Sequence, residues 1–577
     1  MDQMCQAVHQ AVKRPWSILT FFFFLAPSPS HSNTANMVKL TIVEDRPTPK
    51  EVYNWRVYFL ASMACWASVM IGYDSAFIGS AMALKSFKDE FGLSTKTKAE
   101  FNFLSANIVS CYQAGCFFGA LSGYFVGFYF GRKWGLFVAS LVFIVGSILQ
   151  TVASGKTGLG IMYAGRIIAG WSVGVASNLT PIYIAEISPP AIRGRLIGIY
   201  ELGWQIGAVV GFWIGYGVNQ HIPYGNVQWI IPFAVQLIPG GMLGLGCLTL
   251  KESPRWLASR DRYDSALANL ALIRHLPADH VYVQEELYEI KSAIEHDEEK
   301  AGRGILAPIK TLFSNRSYMK RLALCVSLFI GQNVTGINAI NYYSPTVFAS
   351  IGVSGTSTSL LTTGVFGLIK FAVALIWLLW LVDRYGRKLL LIIGSAGGAV
   401  CMYWIGIYIA VAKPANNPSS NLSGGGISAM VVFYLWTCFY GPTWNGTPWV
   451  MGAEVMPTFI RSATQAIIAS SNWLFAFLIA RFTPQMFTAM GFGVYLFFAS
   501  LMVVSIPCVY FAVPETSGIP LEHMDELFAL SPRTAHTILA ERLRAEHHMD
   551  GSFADTDAKN PDDGHLEPAR SNDGRMV

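Results

Sequence analysis

Twelve stretches of the chain are apolar for the length of a membrane crossing, and charge is largely confined to the segments between them. The runs lie at about 56–80, 103–126, 134–153, 158–181, 197–217 and 228–249, then at about 322–345, 359–382, 389–411, 428–452, 463–483 and 491–513. A helix needs about 20 apolar residues to cross the hydrocarbon core, and backbone in lipid must satisfy its own hydrogen bonds. Each run therefore predicts a spanning helix. The charged interval Lys251–Arg321 contains YDSALANLALIRHL and VQEELYEIKSAIEH, whose spacing predicts short amphipathic helices at the membrane surface. These form either a solvated bracket between two bundles or a partner-binding face.

Composition agrees with a lipid-facing surface. Hydrophobic residues make up 53% and charged residues 13% of the chain, against about 25% charged in soluble domains, and mean hydropathy is +0.40. The net charge of +5 fits basic cytosolic loops and points to no nucleic acid. Arg132, Lys133, Arg193, Arg195, Arg387, Lys388 and Arg461 sit in short connections on one side, whereas 218–227 has no Lys or Arg. The basic side predicts the cytosol, with both termini and the 251–321 interval on it. The nine cysteines lack metal spacing and read as small buried hydrophobes. Lys13 and Arg14 precede a short apolar run, Trp16–Pro27, that imitates a signal peptide but is too short to span; Met37 opens a polar stretch that reads as the natural start, making 1–36 an upstream mis-start or a dispensable extension. Asn421 opens a glycosylation sequon in an outside loop, while the sequons at Asn178, Asn333 and Asn445 lie in or beside spans and are set aside.

The two sets of six runs are related. EISPPAIR at 186–193 and EVMPTFIR at 454–461 share E-x-x-P-x-x-I-R, FGRK at 130–133 matches YGRK at 385–388, and ESPR at 252–255 has a looser counterpart in PETSG at 514–518. Three motifs in the same order predict a duplicated architecture with a site at the seam. The expected fold is thus an all-α membrane protein of two pseudo-symmetric six-helix halves. Its expected parts are a cytosolic segment 1–55, a bundle 56–250, a helical linker 251–321, a bundle 322–513 and a mostly disordered cytosolic tail 514–577. The bases and carboxylates of these motifs, Arg132, Glu186, Arg193, Glu252, Arg255, Asp383, Arg384, Arg387, Glu454, Arg461 and Glu515, suit a cytosolic gating network of ion pairs; topology-setting by positive charge alone is the other reading.

Over residues 54–530 the chain resembles the sugar porter branch of the major facilitator superfamily. The resemblance rests on GYD at 72–74, RIIAG at 166–170, the repeat motifs, GINAINYYSPTVF at 336–348, LVDRYGRK at 381–388 and SNW at 471–473; MIGYDSAFIG, YELGWQIG and WNGTPWV are similar to its fungal quinate permease group. The resemblance implies the major facilitator fold, a transported polyhydroxylated solute such as quinate, protons as the coupling ion, a monomeric unit in the plasma membrane, and no cofactor. Two departures stand out. Phe128 and Tyr129 replace the usual Asp-Arg, predicting a weaker first-half lock, and Lys251 replaces a proline.

Ionisable groups at membrane depth cost about 2.5–3.5 kcal/mol on insertion scales and are functional candidates. Asp74 has apolar flanks and Arg166 opens the fourth run. The matching pair in proton-coupled sugar porters exchanges the proton; a permanent structural pair is the alternative. Glu201 stands where the family carries a sugar-binding Gln, and suits hydroxyls or a proton, or else is a helix-end charge near Arg195. Lys370 lies mid-span, about 20 Å from Asp383 at 1.5 Å per residue, too deep to snorkel. It needs Glu201, Asp74 or a substrate carboxylate as partner. Neutral contacts are expected from Gln332, Asn333 and Asn338 around an unwinding Thr-Gly pair, and from Trp449 in a stretch broken by Gly and Pro. Asn472 and Trp473 join the substrate-binding set by resemblance. Trp449 is otherwise an interfacial anchor. A monoanion entering with one proton is electroneutral, and with two is electrogenic; Asp74 and Glu201 offer two sites. A neutral hexose or polyol importer and a nutrient receptor are the competing functions. No nucleophile–base set, phosphate loop or metal cluster suggests an enzyme.

Overall fold

The computed structural model describes residues 48–302, 304–378, 386–414, 423–517, 519, 524–539 and 541–542. Expectations for 1–36, Asp383, Arg384 and Asn421 fall outside these residues. Among the described residues twelve helices are long and apolar enough to cross a membrane. They are α1 (Trp55–Ala83), α2 (Lys98–Tyr129), α3 (Gly131–Val152), α4 (Leu159–Ile187), α5 (Arg193–His221), α6 (Asn226–Thr249), α7 (Arg316–Ile351), α8 (Thr356–Ile376), α9 (Arg387–Ala412), α10 (Gly424–Glu454), α11 (Thr458–Met490) and α12 (Gly493–Ala512).

The helices run beyond the apolar stretches because polar first turns are capped. The Asn54 side chain accepts from the backbone N–H groups of Arg56 and Val57 at the start of α1, and Thr97 and Glu100 form a reciprocal capping box on α2. Hydropathy does not see such turns. Within the first half, α2 and α4 approach closely: a Cβ on Gly119 would lie 2.1 Å from the Trp171 carbonyl oxygen, and one on Gly174 2.2 Å from that of Cys116. Small residues give apolar helices their packing contact where no hydrophobic drive exists between helix and lipid.

The second half contains the breaks. α7 is interrupted at Thr335–Gly336, with Gly336 at φ +88°, and Tyr343 departs again from helical geometry ahead of Pro345. α10 carries a π-helical turn at Gly441–Asn445, where Pro442 cannot donate into the ladder. Four linker helices, Pro254–Ala258, Tyr263–Arg274, Val281–Ala301 and Ala307–Ser314, occupy the interval between halves. Part of the tail is ordered: Met524–Ala529 is helical, Met524 and Leu527 are buried with Ile519, Ala535 and Leu539, and Asp525 pairs with Arg321 at 2.7 Å. The eight described cysteines are free, but Cys438 and Cys508 are exposed on the bundle surface rather than buried.

One device recurs on the linker face of both halves. Glu252 accepts from the backbone N–H groups of Arg132 (2.8 Å) and Lys133 (3.2 Å), closing the first turn of α3. Glu515 does the same for Arg387 and Lys388 on α9, both at 2.9 Å. Gly131 (φ +82°) and Gly386 (φ +73°) make room, since a Cβ there would lie 2.5 and 2.6 Å from the respective carboxylate oxygen. Replacing Gly131 or Gly386 by Ala should cost about 1–3 kcal/mol each, from left-handed backbone strain and displaced hydrogen bonds. Thermal unfolding in detergent should fall for both and not for Gly160→Ala, where nothing lies within 4 Å; equal unfolding temperatures would contradict the capping account.

Candidate functional site

Both breaks of the second half open on one cavity at the seam. α7 contributes Gln332, Asn333 and Asn338, α8 Lys370, α10 Trp449, α11 Asn472 and Trp473, and α5 of the first half Glu201. The eight residues expected at a substrate site thus share one chamber. The break at Gly336 brings Asn338 back onto Asn333, whose Oδ1 accepts from Asn338 Nδ2. Asn333 Nδ2 in turn donates to Asn472 Oδ1 at 2.9 Å and to the Phe329 carbonyl at 2.8 Å. Gln332 Nε2 donates to the carbonyls of Trp444 (2.9 Å) and Asn445 (2.8 Å), using acceptors that the π-helical turn sets free. Donor and acceptor capacity is therefore fixed by backbone irregularity, which membrane depth tolerates where it lines a cavity.

Glu201 Oε1 accepts from Gln205 Nε2, one turn along α5, and from Asn445 Nδ2 of the opposite half, both at 2.8 Å. It is a cavity residue and not a helix-end charge. Lys370 is 4% exposed; it lines the same chamber and forms no hydrogen bond or ion pair with any described residue, though the Glu201 charge reaches it. Trp449 packs edge-on against Phe329, with centroids 4.7 Å apart, and is no interfacial anchor. The chamber is a small cavity, about 60 Å³.

Asp74 and Arg166 lie outside the chamber. Both are fully buried between α1 and α4, joined by a hydrogen bond from Arg166 Nη1 to Asp74 Oδ1. Arg166 Nε also donates to the Ile108 carbonyl at 3.2 Å, while Asp74 Oδ2 and Arg166 Nη2 have no hydrogen-bond partner. The next residue, Ser75, lines the chamber. A second link is aromatic: the Arg166 guanidinium lies 4.5 Å from the Tyr112 ring centre, and Tyr112 meets Trp473 edge-on at 6.3 Å.

The described residues of the expected network sit on the linker face. Arg132 holds Glu186 in a bidentate pair at 2.9 and 2.8 Å, and Arg387 pairs with Glu454 at 3.0 Å. At this face the first half lacks the usual Asp-Arg. Phe128 replaces it by packing its ring 4.0 Å from the Arg260 guanidinium, and its carbonyl accepts from Trp256 Nε1 at 3.2 Å. Burial pushes the Glu252 carboxyl above the usual glutamate range, with the backbone donors pulling it down. Arg255 pairs with Asp297 of the linker at 3.0 Å, and Asp297 also accepts from Thr458 at 3.2 Å. Arg461 donates to the Met456 carbonyl at 3.1 Å, and Arg193 is exposed at the first turn of α5.

Sequence reasoning missed Ser75, Asn341, Tyr342, Tyr440 and above all Asn445. Asn445 was set aside with its sequon, although its place in a Gly- and Pro-broken span was the available signal.

Two six-helix halves meeting at a polar chamber define a membrane transporter of the major facilitator class, not an enzyme. The chain belongs to the sugar transporter family: the profile described as "Sugar (and other) transporter" matches residues 60–528. Among curated relatives, a probable quinate permease of Aspergillus niger is 58% identical over 493 residues, covering 85% of this chain and 92% of its own. One of Aspergillus fumigatus is 57% identical over 511 residues, covering 88% and 94%. Among solved structures, the proton:xylose symporter XylE bound to 6-bromo-6-deoxy-D-glucose superposes with a TM-score of 0.68 at 25% identity, over 82% of this chain and 99% of that one.

Breaking a buried pair from one side leaves an uncompensated charge and costs about 3–5 kcal/mol. Asp74→Ala should therefore lower the unfolding temperature in detergent markedly, and Asp74→Ala/Arg166→Leu should recover most of the loss. A double variant no better than the single one would show that the two groups do not act as a pair.

Proposed function

We propose that the protein imports quinate, or a close cyclitol carboxylate, across the plasma membrane together with protons, by alternating access to the central chamber. The observation that carries this reading is Lys370, a buried ammonium lining the chamber with no ion-pair partner among the described residues. A substrate carboxylate supplies that partner through a charge-assisted hydrogen bond, while the amides of Asn333, Asn338 and Asn472 match ring hydroxyls. The names of the curated relatives support the same substrate. Proton coupling is assigned to Asp74 and Arg166: an acid that moves between a desolvated and a cation-paired environment changes its proton affinity. The XylE neighbour, described as a proton symporter, supports the coupling. In this reading the linker face is cytosolic, the ion pairs of Arg132 and Arg387 gate that side, the transport unit is a monomer, and Asn421 carries a glycan.

A second reading, import of a neutral hexose or polyol, is favoured by the uncharged amide relay and by the sugar bound in the XylE neighbour. Lys370→Asn separates the two. Loss of a charge-assisted bond worth about 1.5–3 kcal/mol should weaken quinate uptake at least about tenfold and improve competition by neutral polyols. Unchanged quinate affinity would remove Lys370 from the site. Asp74→Asn should abolish accumulation against a gradient while equilibrative exchange continues, measured with labelled quinate in vesicles with and without a pH gradient. Intact accumulation would exclude Asp74 as the proton carrier.

A further inference from the structure

Glu201 and Lys370 line one chamber without forming an ion pair. Glu201 is bonded asymmetrically. Its Oε1 accepts two amide hydrogens, from Gln205 and from Asn445, whereas its Oε2 forms no hydrogen bond with any described residue. A proton on Oε2 would leave both amide bonds in place and add a hydroxyl donor. The titratable groups that reach Glu201 are Lys370 from α8, Tyr440 from α10 and Tyr200 of its own helix, with Cys65 of α1 against Tyr200. Lys370 is the one cation among them. The chamber is thus neutral when Glu201 is ionised and Lys370 charged, and the arrival of a carboxylate leaves it with one uncompensated negative charge, which desolvated surroundings disfavour.

Resting on the reading that quinate is the cargo, we propose that Glu201 is a second protonation site, loaded as the anion pairs with Lys370, so that each monoanion enters with two protons, one on Glu201 and one through Asp74. The bond to Asn445 ties this step to the seam. Asn445 belongs to α10 of the opposite half, and its hydrogen bond to Glu201 loses charge assistance, about half its strength, when the acid is neutral. Loading the substrate thereby loosens a contact between the halves.

The test is charge movement per quinate, measured as current and labelled influx together in voltage-clamped oocytes at acidic external pH. The wild type should carry one net positive charge per quinate, so that 100 mV, about 2.3 kcal/mol per charge, multiplies accumulation about 50-fold. Glu201→Gln should carry none and lose that dependence on potential. Glu201→Asp, which keeps a titratable group, should retain one charge per quinate and decides the matter if the Gln variant does not reach the membrane. Electroneutral quinate uptake by the wild type would overturn the second proton and leave the importer standing. One charge per quinate in Glu201→Gln would overturn Glu201 as its site. No quinate uptake by the wild type would overturn both.

Discussion

A charge in a low-dielectric interior must be paired, neutralised or given water, and the described membrane interior is arranged around that constraint. Asp74 and Arg166 meet it directly, one carboxylate oxygen on one guanidinium nitrogen with both side chains fully buried. Their pairing is incomplete, since the second oxygen and a second nitrogen are unbonded. A fully satisfied bidentate pair would be a structural tie with little reason to open. In the proposed cycle a half-satisfied one would let the acid pass between a paired, ionised form and a protonated form. The chamber presents the same problem unsolved. Glu201 and Lys370 share it without closing on each other, and each leaves capacity for a third charged group.

The two halves differ despite their shared motifs. Their linker faces repeat the same construction: a glycine with positive φ, a glutamate closing the next helix, and an arginine on a second glutamate. Inside the membrane they differ. The first half packs continuous α1, α2 and α4 with glycines at backbone contact and holds the buried pair. The second half breaks α7 and α10, and its freed carbonyls orient Gln332 while Asn333, Asn338 and Asn472 bond to one another. Rigid packing suits a group that must stay desolvated, and broken helices suit a surface that must offer polar atoms in several directions.

What the sequence disclosed follows from the range of each interaction. Twelve spans, the duplication and the deep charges are local or periodic signals, and Glu201, Lys370, Gln332 and Trp449 could be placed in one chamber from span position and motif. The polar first turns escaped because a capping box stabilises residues that hydropathy scores as loop. Asn445 escaped because its role depends on a bond to Glu201, 244 positions away. The partner of Arg255 escaped for the same reason: Asp297 lies in a linker helix with no motif to mark it. Phe128 shows the converse: the ring that departs from the family pattern packs on Arg260, a neighbour that the pattern does not reveal.

The size of the chamber joins these points. It is a small cavity, about 60 Å³, with close walls. Those walls belong to both halves: Glu201 and Ser75 on one side, Lys370, Trp449 and the amides on the other. One polar contact between them at the chamber, Glu201 to Asn445, is a bond that a substrate carboxylate and its accompanying proton would alter. In the proposed cycle binding and rocking are therefore not separate events. The electrostatic requirement that admits an anion beside Glu201 would also weaken one of the bonds that cross the seam, which couples the substrate's charge to the contact between the halves.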